Sequence, residues 1–200
     1  AGVFVPYATA WRGLFEKAQA KTGETVLIHG ASGGVGIAAI QWAKHAGLRV
    51  VGTAGSEEGK RLVSEQGADL VFDHAEPDYL AKVREATGGV EIVLEMLANV
   101  NLVNDFEVLK MFGRIVVIGN RGSLDFNPRL TMGKDASIHG LALFNAAPET
   151  MSRIHDEIRS GLRAGFLVPA VGRRFPLGDA VRAHHEVLET RALGKIVLLP

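Results

Sequence analysis

From residue 25 the chain runs Thr25-Val26-Leu27-Ile28-His29-Gly30-Ala31-Ser32-Gly33-Gly34-Val35-Gly36, a short β-branched apolar run broken off by glycines. A run with apolar residues on both faces predicts a strand buried on both sides, the habit of a parallel sheet. Residues 37–45 then predict a helix stopped by Ala46-Gly47, and 49–54 predict the next strand. Strand, glycine turn, helix and strand make one βαβ unit. Against the pattern G-x-G-x-x-G, Ala31 takes the first glycine position, and Gly33 and Gly36 take the other two. In such a turn Gly33 lets backbone close on a pyrophosphate and Gly36 lets the helix pack tightly on the strand. The helix opening near Gly34 and Val35 aims its free N–H groups and positive dipole end at the phosphates. A glycine string alone is also compatible with a plain tight turn. Its place between a buried strand and a helix favours dinucleotide binding.

The alternation continues along the chain. Helices are expected over 57–66, 79–86 and 102–109, and strands over 70–73, 92–96, 114–118 and 137–143. A helix over 8–20 precedes the first strand and a long one over 148–164 follows the last. This order predicts an α/β fold, a doubly wound parallel six-stranded sheet of the Rossmann type. The last 30 residues break the rhythm, with a strand over 171–177, a helix over 178–190 and a strand over 194–199. The division expected is therefore 1–170 for the nucleotide domain and 171–200 for a strand-helix-strand appendage. The opening Ala1-Gly2, without an initiator Met, reads as a cut from a longer polypeptide.

Composition narrows the function. Lys plus Arg and Asp plus Glu both number 22, so no global field draws the chain to nucleic acid or anionic lipid. Cysteine is absent, which removes thiol nucleophiles and Cys-ligated zinc and suits a reducing compartment, with the cytoplasm as the default location. No apolar run approaches the roughly 20 residues of a membrane-spanning helix. The chain has no G-x-S-x-G elbow and no H-E-x-x-H pair, and Tyr79-Leu80-Ala81-Lys82 misses the Y-x-x-x-K spacing of short-chain dehydrogenases. His184 and His185 diverge by roughly 100° on a helix and are poor joint ligands, so no metal site is expected.

The second strand would decide which dinucleotide binds, because an NAD site usually ends that strand with an acid for the ribose 2′-hydroxyl. Here the run is Gly52-Thr53-Ala54-Gly55-Ser56-Glu57-Glu58-Gly59-Lys60-Arg61, with small residues at the strand end and cations one turn later. A 2′-phosphate would find room and charge, which favours NADPH, although Glu57 remains within conceivable reach of a hydroxyl. Ser56 reads equally as a helix cap and Lys60 as a solvated cation. His74, past the third strand, is placed to meet the adenosine phosphate or to be a surface loop residue. The later strand ends, Glu95-Met96-Leu97-Ala98-Asn99-Val100-Asn101, Gly119-Asn120-Arg121-Gly122 and Leu141-Ala142-Leu143-Phe144, would supply the rest of a crevice at the carboxyl edge. The sixth strand should lie at the sheet margin without Pro or Lys to blunt it, an edge on which two copies could pair.

The segments Pro6-Tyr7-Ala8-Thr9-Ala10-Trp11 and Gly23-Glu24-Thr25 through Gly36 closely resemble the medium-chain quinone oxidoreductases, nearest the zeta-crystallin branch. Gly52–Gly59, 95–101, 119–122 and the closing Gly194-Lys195-Ile196-Val197-Leu198 are similar too, so the resemblance covers nearly the whole chain. It implies direct hydride transfer from NADPH to a small quinone or enone, without zinc and without a covalent nucleophile. It places Ser32, Gly33, Gly34 and Val35 at the pyrophosphate, Gly55 and His74 near the adenosine phosphate, and Asn101 near a ribose. Ile118, Gly119, Asn120, Arg121, Leu141, Ala142 and Leu143 would follow the nicotinamide side, with Lys60 and Arg191 as further phosphate candidates. The GroES-like catalytic domain that precedes this part in the family is missing, and the stretch from 171 would return to it. The resemblance also implies a homodimer through strand 137–143. A non-enzymatic NADPH-binding scaffold or RNA-binding crystallin-like protein is the rival reading, which zero net charge weakens where RNA is concerned.

Overall fold

In the computed structural model, which describes residues 2–189 and 193–200, a six-stranded parallel sheet forms the body of the chain. Its strands are β1 (Thr25–Ile28), β2 (Arg49–Thr53), β3 (Leu70–Phe72), β4 (Val90–Glu95), β5 (Leu109–Val117) and β6 (Ser137–Gly140). They lie in the order β3-β2-β1-β4-β5-β6, the doubly wound arrangement expected, with the order reversing between β1 and β4. The period-two geometry of a strand explains the unbroken apolar runs. Val26, Ile28, Val50, Ile92, Leu94 and Val116 enter one core, and Leu27, Val51, Val93 and Ile115 enter the core on the opposite face.

Helices cover both faces. α1 (Phe4–Trp11), α2 (Gly34–His45) and α7 (Pro148–Ala164) contribute to the first core, and α4 (Tyr79–Thr87) and α5 (Ala98–Asp105) to the second. α3 (Glu57–Glu65) is capped by the Ser56 hydroxyl, which accepts from the Gly59 N–H. α6 (Arg129–Met132) is a single turn in the β5–β6 connection. The appendage is a separate two-stranded parallel sheet of β7 (Val171–Pro176) and β8 (Lys195–Leu199), joined by α8 (Ala180–Glu189). No helix of the described residues is long and apolar enough to cross a membrane.

The larger departures from the sequence expectation have physical reasons. The helix expected over 8–20 starts earlier, at Phe4, because Pro6 falls in the first turn, where a missing N–H costs nothing. It then widens into a π-helical stretch, Arg12–Lys17. The helix expected over 102–109 is α5, shifted towards the chain start, because Leu109 buries itself in the second core as the first residue of a longer β5. The strand expected over 137–143 ends at Gly140. Leu143 instead opens a short 3₁₀ turn, Leu143–Asn145, with its side chain in the first core and the Ala142 and Leu143 carbonyls accepting from Arg12 at 2.9 and 3.2 Å. The helix expected over 178–190 follows a 3₁₀ turn, Leu177–Asp179, and is described as far as Glu189.

Candidate functional site

The switch point between β1 and β4 opens a cleft of about 230 Å³ at the carboxyl edge of the sheet. His29 and Gly30 leave β1 into it, Thr53 ends β2, His74 follows β3, and Met96, Leu97, Val100 and Asn101 come from the β4–α5 corner. In a doubly wound sheet this is the place where ligands bind, because adjacent loops part there in opposite directions.

Beside the cleft, the glycine turn has the geometry its spacing required. Gly30 takes φ 56°, a conformation that L-residues resist. The Gly30 N–H reaches Thr53 Oγ1 at 3.3 Å and the Ala31 N–H reaches the Thr53 carbonyl at 2.8 Å, which ties the turn to β2. At Gly36 a β-carbon would stand 2.5 Å from Ala31 Cα and 2.6 Å from the Gly30 carbonyl, so α2 packs on the turn only as glycine. The first helical bond of α2 runs from the Ile37 N–H to the Gly33 carbonyl, so the N–H groups of Gly34, Val35 and Gly36 precede the ladder. Such a helix start holds an anion by backbone donors and dipole.

Of the other expected site residues, Gly55 and His74 come together: a β-carbon on Gly55 would stand 2.6 Å from His74 Nε2. Lys60 Nζ is engaged by Glu57 at 2.6 Å and Asp73 at 3.3 Å. The Glu57 hydrogen bond, against a smaller effect of burial, raises its pKa, so its charge is already shared with two carboxylates. Asn101 lines the cleft and donates to Glu95 Oε1 at 3.2 Å. Gly119 lets the β5 end pass the Met96 carbonyl, which a β-carbon there would strike, and its own carbonyl accepts from the Ala98 N–H at 3.0 Å. Asn120 Oδ1 accepts from the Asn99 N–H at 2.9 Å, and Asn99 Oδ1 accepts from the Arg121 N–H at 3.0 Å, locking the two loops together. Ile118 and Leu141 are half-buried against the first core and Leu143 is buried in it, whereas Ala142 is exposed. Arg191 lies outside the described residues.

Sequence reading missed Lys195 and a buried cluster. β8 closes on the glycine turn: the Gly194 N–H donates to the Ser32 carbonyl at 2.8 Å, and the Lys195 stem lies over Gly34. This lays the lysine stem against the first residue of α2. Glycine followed by lysine at the start of the last apolar run was the available signal, but only the fold shows where it lands. The cluster is His29, Glu95 and Asp105, all buried, with His29 Nε2 2.8 Å from Asp105 Oδ1 and 3.5 Å from Glu95 Oε2. Burial alone would lower the His29 pKa, but Asp105 and then Glu95 outweigh it and raise it overall. Burial, offset by His29 and reinforced by Asp105, pushes the Glu95 carboxyl up to about 7.

A Rossmann-type α/β domain, with its switch-point cleft beside a glycine turn, is the class that these features define. The chain belongs to the zinc-binding dehydrogenase family, whose model matches residues 34–160. It is 46% identical over 202 residues to the quinone oxidoreductase of Rattus norvegicus, covering 100% of this chain and 61% of that protein. Among solved structures it is similar to a mycobacterial protein complexed with NADPH, at TM-score 0.92 and 30% identity, covering 100% of this chain and 63% of that one. The CurK enoyl reductase is likewise similar, at TM-score 0.89 and 27% identity, with 99% and 61% covered. The chain thus spans about three-fifths of the length of these relatives.

The family's name raises the question of zinc. Among the described residues the His/Asp/Glu group close enough to hold an ion is His29, Glu95 and Asp105. Two donors on a tetrahedral zinc at about 2.1 Å each stand roughly 3.4 Å apart. His29 Nε2 and Asp105 Oδ1, at 2.8 Å, have the separation of a direct hydrogen bond, and Glu95 Oε1 is occupied by the Leu97 N–H and Asn101. With no cysteine in the chain, these donors do not fit a zinc centre.

Proposed function

We propose that this chain is the NADPH-binding part of a zinc-independent quinone or enone reductase of the zeta-crystallin branch. The observation that carries the reading is the switch-point cleft beside a glycine turn that tolerates no β-carbon at Gly36, in a chain 46% identical over its whole length to a quinone oxidoreductase. The pyrophosphate would meet the N–H groups of Gly34, Val35 and Gly36, with Ser32 and Gly33 forming the turn and Lys195 the nearby cation. The adenosine ribose would lie over Gly55 and His74, where β2 ends without an acid. Asn101 would meet the nicotinamide ribose. The backbone of 118–121 and 141–143 would line the nicotinamide side, the side chains of Ile118, Leu141 and Leu143 serving packing. Arg191 and Lys60 remain secondary phosphate candidates, Lys60 the weaker because two carboxylates already hold it.

When bound, NADPH supplies a hydride from C4 of its nicotinamide to an electron-poor quinone or enone carbon. The residues of this chain bind and orient the cofactor and keep water from its reacting face. Residues 171–200 would pack on a GroES-like domain that lies outside this chain. Their exposed Val171, Leu177, Val181, Val187 and Leu188 support that reading. The absence of cysteine supports the cytoplasm as the location. The margin position of β6, with Ile138 on it at 36% exposure, supports antiparallel pairing of two copies there.

The deciding experiment follows NADPH oxidation by the full-length protein with a quinone and with an enone acceptor, and titrates this chain by calorimetry. NADPH is expected to bind more tightly than NADH. Equal affinities would refute the cofactor assignment, and binding without turnover on any acceptor would favour the scaffold reading.

A further inference from the structure

Beneath the cleft floor lie two carboxyl groups that nothing in the proposed chemistry uses. Glu95 and Asp105 are both 0% exposed, and each has one oxygen, Glu95 Oε2 and Asp105 Oδ2, without a hydrogen-bond partner. Their acceptor atoms and the His29 ring nitrogen all lie within 4.8 Å of one another. Tyr79 of α4 closes the cluster edge-on to the His29 ring, with centroids 6.2 Å apart, and among the described residues no cation other than His29 is paired with the two carboxyls. A single imidazolium can balance one buried carboxylate, not two. Two carboxyls this close, away from water, do not both ionise, and a proton shared between them also gives the two orphan oxygens a donor and an acceptor.

The other end of Glu95 faces the cleft. Its Oε1 accepts from the Leu97 N–H and from Asn101 Nδ2 at 3.2 Å, and both of those residues line the cleft wall. Hence the same carboxyl links the buried cluster to the surface that a ligand would touch.

We propose that Glu95 is a positioning residue for cofactor binding: sharing one proton with Asp105 beneath the cleft, it holds Leu97 and Asn101 in the wall that the cofactor meets. The inference rests on the NADPH reading above and deepens it. The groups that face Glu95 are His29 from the turn after β1, Asp105 from α5 and Tyr79 from α4, with Glu107 adding to the negative field at Tyr79. Above neutral pH the shared proton leaves, two carboxylates face one imidazole, and the corner carrying Leu97 and Asn101 loses its fixed geometry.

The test compares NADP+ affinity of this chain from about pH 6 to about pH 9 with that of Glu95→Gln and Glu95→Ala. The wild type should weaken by about tenfold as pH rises through neutrality. Glu95→Gln keeps the acceptor for Leu97 and Asn101 and offers Asp105 a permanent donor, so it should bind as the wild type does at the acid end and lose the decline. Glu95→Ala should bind about tenfold more weakly at every pH, the effect of one lost pair of hydrogen bonds. His74 lines the same cleft in all three proteins, so the difference between profiles isolates Glu95. A Gln variant that keeps the decline, or an Ala variant that binds like the wild type, overturns the proposal. Carboxyl carbon NMR of the wild type decides the matter without any variant. A Glu95 signal titrating near the ordinary ~4.3 also overturns it. Stoichiometric uptake of Zn²⁺ that Asp105→Asn abolishes would mark a metal site instead and overturn proton sharing. A wild type that binds neither NADP+ nor NAD+ fails the cofactor reading itself, an outcome separate from these.

Discussion

At the scale of single residues, the glycine turn is where sequence and geometry meet most tightly. Gly36 faces backbone, not a movable side chain, so an added methyl must displace α2 or the turn itself. Gly36→Ala is therefore expected to cost about 3 kcal/mol, the upper range of overpacking, and to lose NADPH binding with it. Urea denaturation and calorimetry check the two halves of that expectation. The close packing at Gly36 was legible in the sequence, because the glycine spacing between a strand and a helix assigns that role. The His29–Glu95–Asp105 cluster was not, because its members stand on separate elements and only the β1–β4 neighbour relation brings them together. Lys60 shows the converse. A cation in the right stretch of sequence spends its charge on Glu57 and Asp73, which a string of letters does not reveal.

At the scale of elements, strand and helix types followed from periodicity, and the departures cluster where a distant side chain overrides it. Arg12 is the clearest case: buried at 3% exposure in the π-helical stretch, it pairs with Glu16 and reaches across to the carbonyls of Ala142 and Leu143. This contact ends the sixth strand before the position that its apolar sequence predicts. The Glu16 hydrogen bond, with burial opposing it, raises the Arg12 pKa and keeps the guanidinium charged. Arg12→Leu would leave two carbonyls without their donor and Glu16 without its partner. A loss of about 2–4 kcal/mol is expected, discounted from a fully buried pair because Glu16 is partly exposed. Arg12→Lys should recover only part of it, since an ammonium cannot present the planar fork. Chemical denaturation of both variants measures the difference, and equal stability of the wild type and Arg12→Leu would refute the clamp.

For the whole molecule, stability should peak on the mildly acidic side of neutrality, because the fold holds groups that shift in opposite directions, Glu95 and His29 buried, Glu91 half-buried and Asp69 exposed. A carboxyl with a folded pKa above its unfolded value contributes stability that is full below the unfolded pKa and is lost as pH rises through the folded one. Glu95, pushed up to about 7 chiefly by burial, is such a group, and His29, raised overall by Asp105 and Glu95, acts in the same sense. On the acid side, burial would raise Asp69 and Glu91, but Lys44 and the Val50 N–H lower Asp69, and Lys110 and the Thr25 N–H lower Glu91. Stability from those two is therefore present above their unfolded pKa and is lost as pH falls below about 4. Thermal melts across the pH range should accordingly decline above about pH 7 as well as below about pH 4. Glu95→Gln should remove most of the alkaline decline while leaving the acid limb in place. A wild-type Tm that stays level from about pH 6 to about pH 9 would show that the buried cluster holds no shared proton, since a charge-balanced core would have nothing to lose over that range.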